Sequence, residues 1–183
     1  MAQVVGIATP ATSARGGRQA RLNLCWLRRM KVLADTNVIL RSTQPANPGH
    51  ALALSAMARL SESGHELCLV PQSIYEYWVV ATRPLAVNGF GMPISDVDRR
   101  IQELLLHFTL LRDERGVYSR WYDLVVSRHV QGKQAHDARL VAAMERHNVK
   151  HLLTFNRADF ARFPAIVVLS PDELQSGMTI PHL

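Results

Sequence analysis

Five polar residues stand where the surrounding chain is apolar. Asp35 follows Val32-Leu33-Ala34 directly. An acid at such a strand tip either caps the following helix or belongs to a site, and Asn37 could serve equally well as the cap. Glu76 lies inside Ile74-Tyr75-Glu76-Tyr77-Trp78 and is followed at helical spacing by Val79 and Val80. That puts it on or beside a buried stripe, where a lone carboxylate is costly unless it is paired or metal-bound. Asp137 shares a helical face with Leu140, Val141 and Met144. The plainer account of it is a first-turn acid favoured by the helix dipole. Asn156 and Asp159 fall within Phe155-Asn156-Arg157-Ala158-Asp159-Phe160, where an N-cap with an acid at N3 would also explain them.

Taken together, these are acids on separate elements, each near apolar surface, and some beside strand ends. Carboxylates brought together without a cation repel one another. Hard divalent ions want oxygen ligands, and magnesium takes one or two carboxylates with water and substrate phosphate. The chemistry that accounts for convergence is metal-assisted phosphodiester hydrolysis, in which an ion activates water and a second, where present, stabilises the leaving oxygen.

The elements that would position these acids alternate in type. Strands are expected at Val32–Ala34, Leu67–Val70, His151–Phe155 and Ile166–Leu169, with a short one at Thr109–Leu111. Helices are expected at His50–Ser61, Gln72–Ala81, 95–107 with Ser95 as cap and Asp98 in capping-box position, Val117–Val130 and Gln134–His147. Residues Pro84–Pro93, with Asn88-Gly89 and Gly91, read as a loop or flap. The alternation predicts an α/β fold: a mostly parallel central sheet with helices on both faces. Sites in such sheets form beyond the carboxyl ends of the strands, which points to Asp35 and to Asn156 and Asp159.

The chain has 183 residues, 48% hydrophobic and 20% charged, enough for one domain with a real core. No apolar run approaches the ~20 residues that span a bilayer. Two cysteines, Cys25 and Cys68, carry no paired spacing, so neither a disulfide framework nor a zinc ribbon is expected, in keeping with a reducing compartment. The net charge is +6, but Arg15, Arg18, Arg21, Arg28 and Arg29 supply five of these charges in an acid-free segment. The basicity therefore says little about the partners of the remaining chain. Residues 1–29 read as a flexible extension, with a transit-type peptide as an alternative and Met30 as an alternative start. Residues 30–174 read as the domain and 175–183 as a tail.

The motifs Leu33-Ala34-Asp35-Thr36-Asn37-Val38, Ser73-Ile74-Tyr75-Glu76, His136-Asp137-Ala138 and Leu153-Thr154-Phe155-Asn156-Arg157-Ala158-Asp159-Phe160, in this order and spacing, resemble PIN domains. More narrowly, they resemble the VapC-like toxins of toxin–antitoxin pairs. The resemblance covers about Met30 to Leu174. It implies a three-layer PIN-like fold and a ribonuclease using Mg2+ or Mn2+. It assigns Asp35, Glu76 and Asp137 as catalytic, metal-holding acids. Asp159 or Asn156 would fill the fourth position, where relatives often carry an acid. Thr36 and Thr154 match pocket hydroxyls, and Asn37 is a further supporting residue. The loop 84–95 resembles a longer version of a connection in some relatives and could contact substrate. An RNA substrate, a cognate antitoxin, a homodimer and a cytoplasmic location are implied, with no membrane association.

Two rivals have definite signatures. A non-catalytic RNA-binding or scaffold protein on the same fold would keep the core and lose acids. A phosphatase-like hydrolase with Asp35 as nucleophile would want a carboxylate two residues on, where Asn37 stands. His129, His136, His147 and His151 lack zinc spacing within one helix, and only His136, beside Asp137, is placed to touch a phosphate. Tyr75, Tyr77 and Trp78 crowd one helix more than a single face can bury. They mark an expected docking surface for the antitoxin, with packing in the core or across a dimer as the alternative.

Overall fold

A computed structural model of the chain describes residues 29–176. Most of the expected N-terminal extension, Cys25, and the tail beyond Ser176 lie outside the described residues.

Five strands form one sheet: β1 (Lys31–Ala34), β2 (Glu66–Leu69), β3 (Thr109–Leu110), β4 (His151–Leu153) and β5 (Val167–Leu169). Their order is β3-β2-β1-β4-β5, and every neighbouring pair is parallel. The register pairs Leu33 with Cys68 on one side and with Leu152 on the other. The expected sheet is therefore present, and it is wholly parallel. Successive side chains of a strand point to opposite faces, so the central runs 32–34, 67–69 and 152–153 are apolar on both faces, while Lys31, Glu66 and His151 stand at the strand starts. Val32, Ala34, Leu67, Leu69 and Leu153 enter one core cluster. Leu33, Cys68 and Leu152 enter the other.

The first face is covered by α1 (Thr36–Ser42), α2 (His50–Glu62), α3 (Pro71–Thr82), α4 (Ile94–His107) and the short α7 (Pro171–Gln175). The second is covered by α5 (Arg115–Ser127) and α6 (Gln134–Arg146). The Trp121 indole ties those two helices by donating to the Ala135 carbonyl at 2.9 Å. The chain runs outward from β1 through β2 to β3, then returns through α5 and α6 to β4 on the other side of β1. The switch in direction lies between β1 and β4. A crevice opens at such a point, beyond the strand ends.

Several local expectations need correction. Helix α4 begins at Ile94 after Pro93, with no side-chain cap; Ser95 is already inside the first turn, and it is Asp96 that pairs, with Arg99 at 2.9 Å. Proline presets φ ahead of the helix, and the Pro93 carbonyl accepts from the Asp96 and Val97 N–H groups at 3.0 and 3.1 Å, so the helix starts without a hydroxyl cap. Residues 84–93 are no free flap. A 3-10 turn (Leu85–Val87) leads into Asn88 at φ 60°. Phe90, Gly91 and Met92 then donate to the carbonyls of Val80, Arg83 and Ala81 at 2.8–3.0 Å. The loop thus satisfies the carbonyls at the end of α3. It packs so close that a Cβ on Gly89 would meet the Arg83 carbonyl oxygen at 2.0 Å. Tyr77 is fully buried in the first core cluster, whereas Tyr75 is 61% exposed and Trp78 is 36% exposed. Spacing explains this: Ser73, Tyr77 and Ala81 form one inward row at i, i+4, i+8.

Candidate active site

The crevice beyond β1 and β4 is a cleft of about 530 Å³. Its floor carries Asp35, Thr36 and Asn37. One wall is a stripe of α3: Tyr75, Glu76, Val79, Val80 and, past its end, Arg83. The opposite wall holds His136, Asp137, Asn156 and Asp159. Asp35, Glu76, Asp137 and Asp159, from separate elements, thus face one space. Residues 84–95 do not line it.

Asp35 and Glu76 are each held in their own way. Asp35 precedes α1 with extended backbone (φ −67°, ψ 152°), and its side chain does not cap that helix. It turns into the cleft instead. Oδ2 accepts from the Thr154 hydroxyl at 2.6 Å and from the Asn37 amide at 2.7 Å. Thr154 is fully buried at the end of β4. Its oxygen also accepts from Asn37 Nδ2 at 2.9 Å and from the Asn156 backbone N–H at 3.1 Å. Asn37 Oδ1 accepts from the Phe155 N–H at 3.2 Å. Thr154 and Asn37 therefore lock the tip of β1 to the tip of β4. Glu76 is held at both oxygens: Thr36 donates to Oε2 at 2.6 Å and Gln72 to Oε1 at 2.8 Å. His136 Nδ1 stands 3.9 Å from Oε1.

Asp137 lies in the first turn of α6. Its carboxyl is pushed up to about 6, by burial first and then by the negative charges of Asp159, Asp35 and Glu76. The carboxyl of Asp35 is also raised, by burial above all, with the Thr154 hydroxyl opposing and the Glu76 charge adding. These shifts have one physical meaning: the cleft concentrates negative charge where water is scarce. Asn156 precedes a 3-10 turn (Arg157–Phe160) that contains Asp159, and its side chain makes no cap there. The capping account of Asn156 is thereby removed, while the backbone N–H of Asp159 bonds the Asn156 carbonyl at 3.2 Å.

The donor set fits a hard divalent cation. Carboxylates, hydroxyls and amides supply oxygen, and among the described residues no cysteine lines the cleft and the one imidazole is His136. Among the described residues, no three Asp, Glu, His or Cys side chains are grouped to hold an ion by themselves. Magnesium does not require that, since it keeps several waters and usually takes one or two carboxylates.

Gln72, Arg83 and Leu40 were not singled out from the sequence, Tyr75 was read only as a docking aromatic, and Val80 only as an apolar neighbour of Glu76. Only Gln72 had a usable signal, lying four residues before Glu76 on the same helical face.

No protein-family model matches the chain, and no curated protein sequence matches it. Solved structures do. The VapBC2 complex of Rickettsia felis, bound to a promoter DNA fragment, aligns at TM-score 0.59 and 12% identity, over 77% of this chain and 98% of its own. VapBC-1 of nontypeable Haemophilus influenzae aligns at 0.58 and 17%, over 78% and 99%. VapC20 of Mycobacterium tuberculosis, described as a sarcin–ricin loop cleaving toxin, aligns at 0.51 and 13%, over 66% and 86%. At these identities the likeness establishes the fold: the chain has the PIN-like α/β architecture of the VapC toxins. Among the described residues, no helix is long and apolar enough to cross a membrane.

Proposed function

We propose that the protein is a ribonuclease that hydrolyses RNA phosphodiester bonds with Mg2+ or Mn2+, and that it acts in the cytoplasm as the toxin of a toxin–antitoxin pair. The observation that carries the reading is the cleft itself. Four acids face it, and Asp35 and Glu76 are fixed by dedicated donors rather than left to repel each other. A scaffold protein would have no use for so costly an arrangement, because burying carboxylates is unfavourable without a cation.

In this reading one or two of Asp35, Glu76 and Asp137 would bind the ion directly and the rest would act through its waters, with Asp159 or the Asn156 carbonyl in the fourth position. When bound, the ion supplies an activated water and stabilises charge on the leaving oxygen. The chain's own residues orient the ligands. Thr154 and Asn37 fix Asp35, and Thr36 fixes Glu76. Arg83 and His136 line the cleft; the guanidinium can neutralise a phosphate of the bound strand and the imidazole can hydrogen-bond to one.

The test is cleavage of RNA with Mg2+ or Mn2+ against the same reaction with a chelator, for wild type and Asp35→Asn. Cleavage that survives the chelator or the substitution defeats the reading.

A cognate antitoxin and a homodimer belong to the same proposal. Several fold neighbours are toxin–antitoxin complexes, including one from Klebsiella pneumoniae. Tyr75, Trp78 and Val79 leave an exposed apolar strip on α3 beside the acids. An antitoxin helix laid along it would place an arginine among the carboxylates, whose geometry its planar fork matches. Binding unchanged by Tyr75→Ala with Trp78→Ala would remove that surface. Sedimentation of the pure chain tests the dimer.

A further inference from the structure

Gln72 belongs to none of the acids or hydroxyls discussed so far, yet it is 7% exposed and makes more polar contacts than its neighbours. It sits in the first turn of α3, one helical turn before Glu76. Its Nε2 donates to Glu76 Oε1 at 2.8 Å and to the His136 backbone carbonyl at 3.0 Å. Its Oε1 accepts from Arg139 Nη1 at 3.1 Å. Arg139 Nη2 in turn reaches both oxygens of Asp113 at 3.0 Å.

Two of these partners fix the amide independently of Glu76. A guanidinium can only donate and a backbone carbonyl can only accept, so Oε1 must face Arg139 and Nε2 must face His136. The second Nε2 proton then has one place to go, the Glu76 carboxylate. The same amide bridges α3 to the first turn of α6, one residue from Asp137.

We propose that Gln72, anchored by Arg139 and Asp113, is a positioning residue that sets the orientation of the Glu76 carboxylate and the separation between Glu76 and Asp137. Glu76 is a long side chain, and Thr36 restrains only one of its oxygens. Without Gln72 the carboxylate rotates about that single bond, and α6 loses its polar tie to α3. Metal-holding carboxylates on different elements need placement to a fraction of an ångström, which such outer hydrogen bonds provide.

The inference rests on the ribonuclease reading, so its test separates the two. Mn2+ binding to the full chain is measured by calorimetry without RNA, and RNA cleavage is measured as kcat and KM. The proteins are wild type, Gln72→Leu, Arg139→Met, Asp35→Asn and Arg120→Met. Arg120 pairs with Glu145 and ties α5 to α6 away from the cleft, so its loss reports helix-packing damage alone. Gln72→Leu is expected to weaken Mn2+ binding about tenfold and lower kcat about tenfold, with KM within about twofold. Arg139→Met should do the same to a smaller degree, and it carries the test if Gln72→Leu fails to fold. Arg120→Met should leave Mn2+ binding and kcat unchanged. Mn2+ affinity and kcat unaltered in both Gln72→Leu and Arg139→Met, or altered equally in Arg120→Met, overturn the positioning role. If that occurs while Asp35→Asn abolishes cleavage, the ribonuclease reading stands and this inference alone falls. A wild type that neither binds Mn2+ nor cleaves RNA overturns both.

Discussion

Among the cavities that the described residues form, two of nearly equal size make an instructive pair. The cleft beyond β1 and β4 measures about 530 Å³, and a groove between α2 and α4 measures about 510 Å³. They differ in construction. The groove is walled by Leu54, Met57, Leu104 and Phe108, with Arg100 and Glu103 paired at its rim. Its polar pair is half-exposed and could be removed at little cost. The cleft gathers four carboxylates; burial disfavours the charged form of Asp35 and Asp137, and Asp35 and Glu76 are tied by hydroxyl and amide donors. Volume does not separate the two cavities. What separates them is the presence of groups that folding alone would not retain.

The largest expected effect breaks this comparison directly. Asp35→Asn should lower kcat/KM for RNA by about 10³-fold or more, equivalent to ~4 kcal/mol of transition-state stabilisation. Met57→Ala in the groove should leave it within about twofold. Cleavage kinetics on one RNA check both, and comparable losses would erase the distinction.

The next effect concerns the tie between strand tips. Thr154→Val keeps shape but removes the hydroxyl that serves Asp35, Asn37 and the Asn156 N–H. Buried partners left unsatisfied cost ~1–3 kcal/mol. Denaturant unfolding should show that loss, and cleavage should fall with it. Ser61→Ala, on the rim of the groove, should change stability by no more than about 0.5 kcal/mol.

A third effect follows from Asp137, whose carboxyl is pushed up to about 6 from 3.8. Between those values the folded chain holds a proton that the unfolded chain has released. Stability of the metal-free protein therefore falls as pH rises through that window and stays lower above it. Asp137→Asn removes this loss. Asp137 is only half-buried, so solvent screening cuts the effect to ~1 kcal/mol. The Tm of the variant should exceed that of wild type by about 2–4 °C at pH 7.5 and match it near pH 4. Thermal melts in chelator at the two pH values check the sign; an equal gap at both would contradict the assigned cause.

The smallest effect is in the groove. Arg100→Met breaks the exposed pair with Glu103. It should cost no more than about 0.5 kcal/mol, less still in high salt.

The strands and the longer helices were legible because periodicity and burial agree in them. Val32, Leu33 and Ala34 are apolar on both faces, and a strand buried on both faces has to be. Helix α1 was not read as a helix. Its Thr36-Asn37-Val38-Ile39 start is rich in poor helix formers, and Val38 and Ile39 are held by packing in the core. Helix α7 was missed despite a visible signal: Ser170 and Glu173 form the capping box that the sequence spells out. The acids were legible one at a time as misfits on apolar faces. Their supporting bonds were not, since Thr154 is 119 residues from Asp35 and Arg139 is 67 residues from Gln72. The aromatic trio misled because composition was weighed before phase: Tyr77 points inward and Tyr75 outward on the same helix.

One measurement tests the central claim most directly: single-turnover cleavage of RNA by wild-type protein across a Mn2+ titration, starting from a chelated, metal-free sample. The account predicts no cleavage without metal, saturable activation by Mn2+, and no activation at any concentration in Asp35→Asn. Cleavage in the metal-free sample, or a Mn2+ response in Asp35→Asn equal to that of wild type, would contradict the assignment of this cleft as the active site of a metal-dependent ribonuclease.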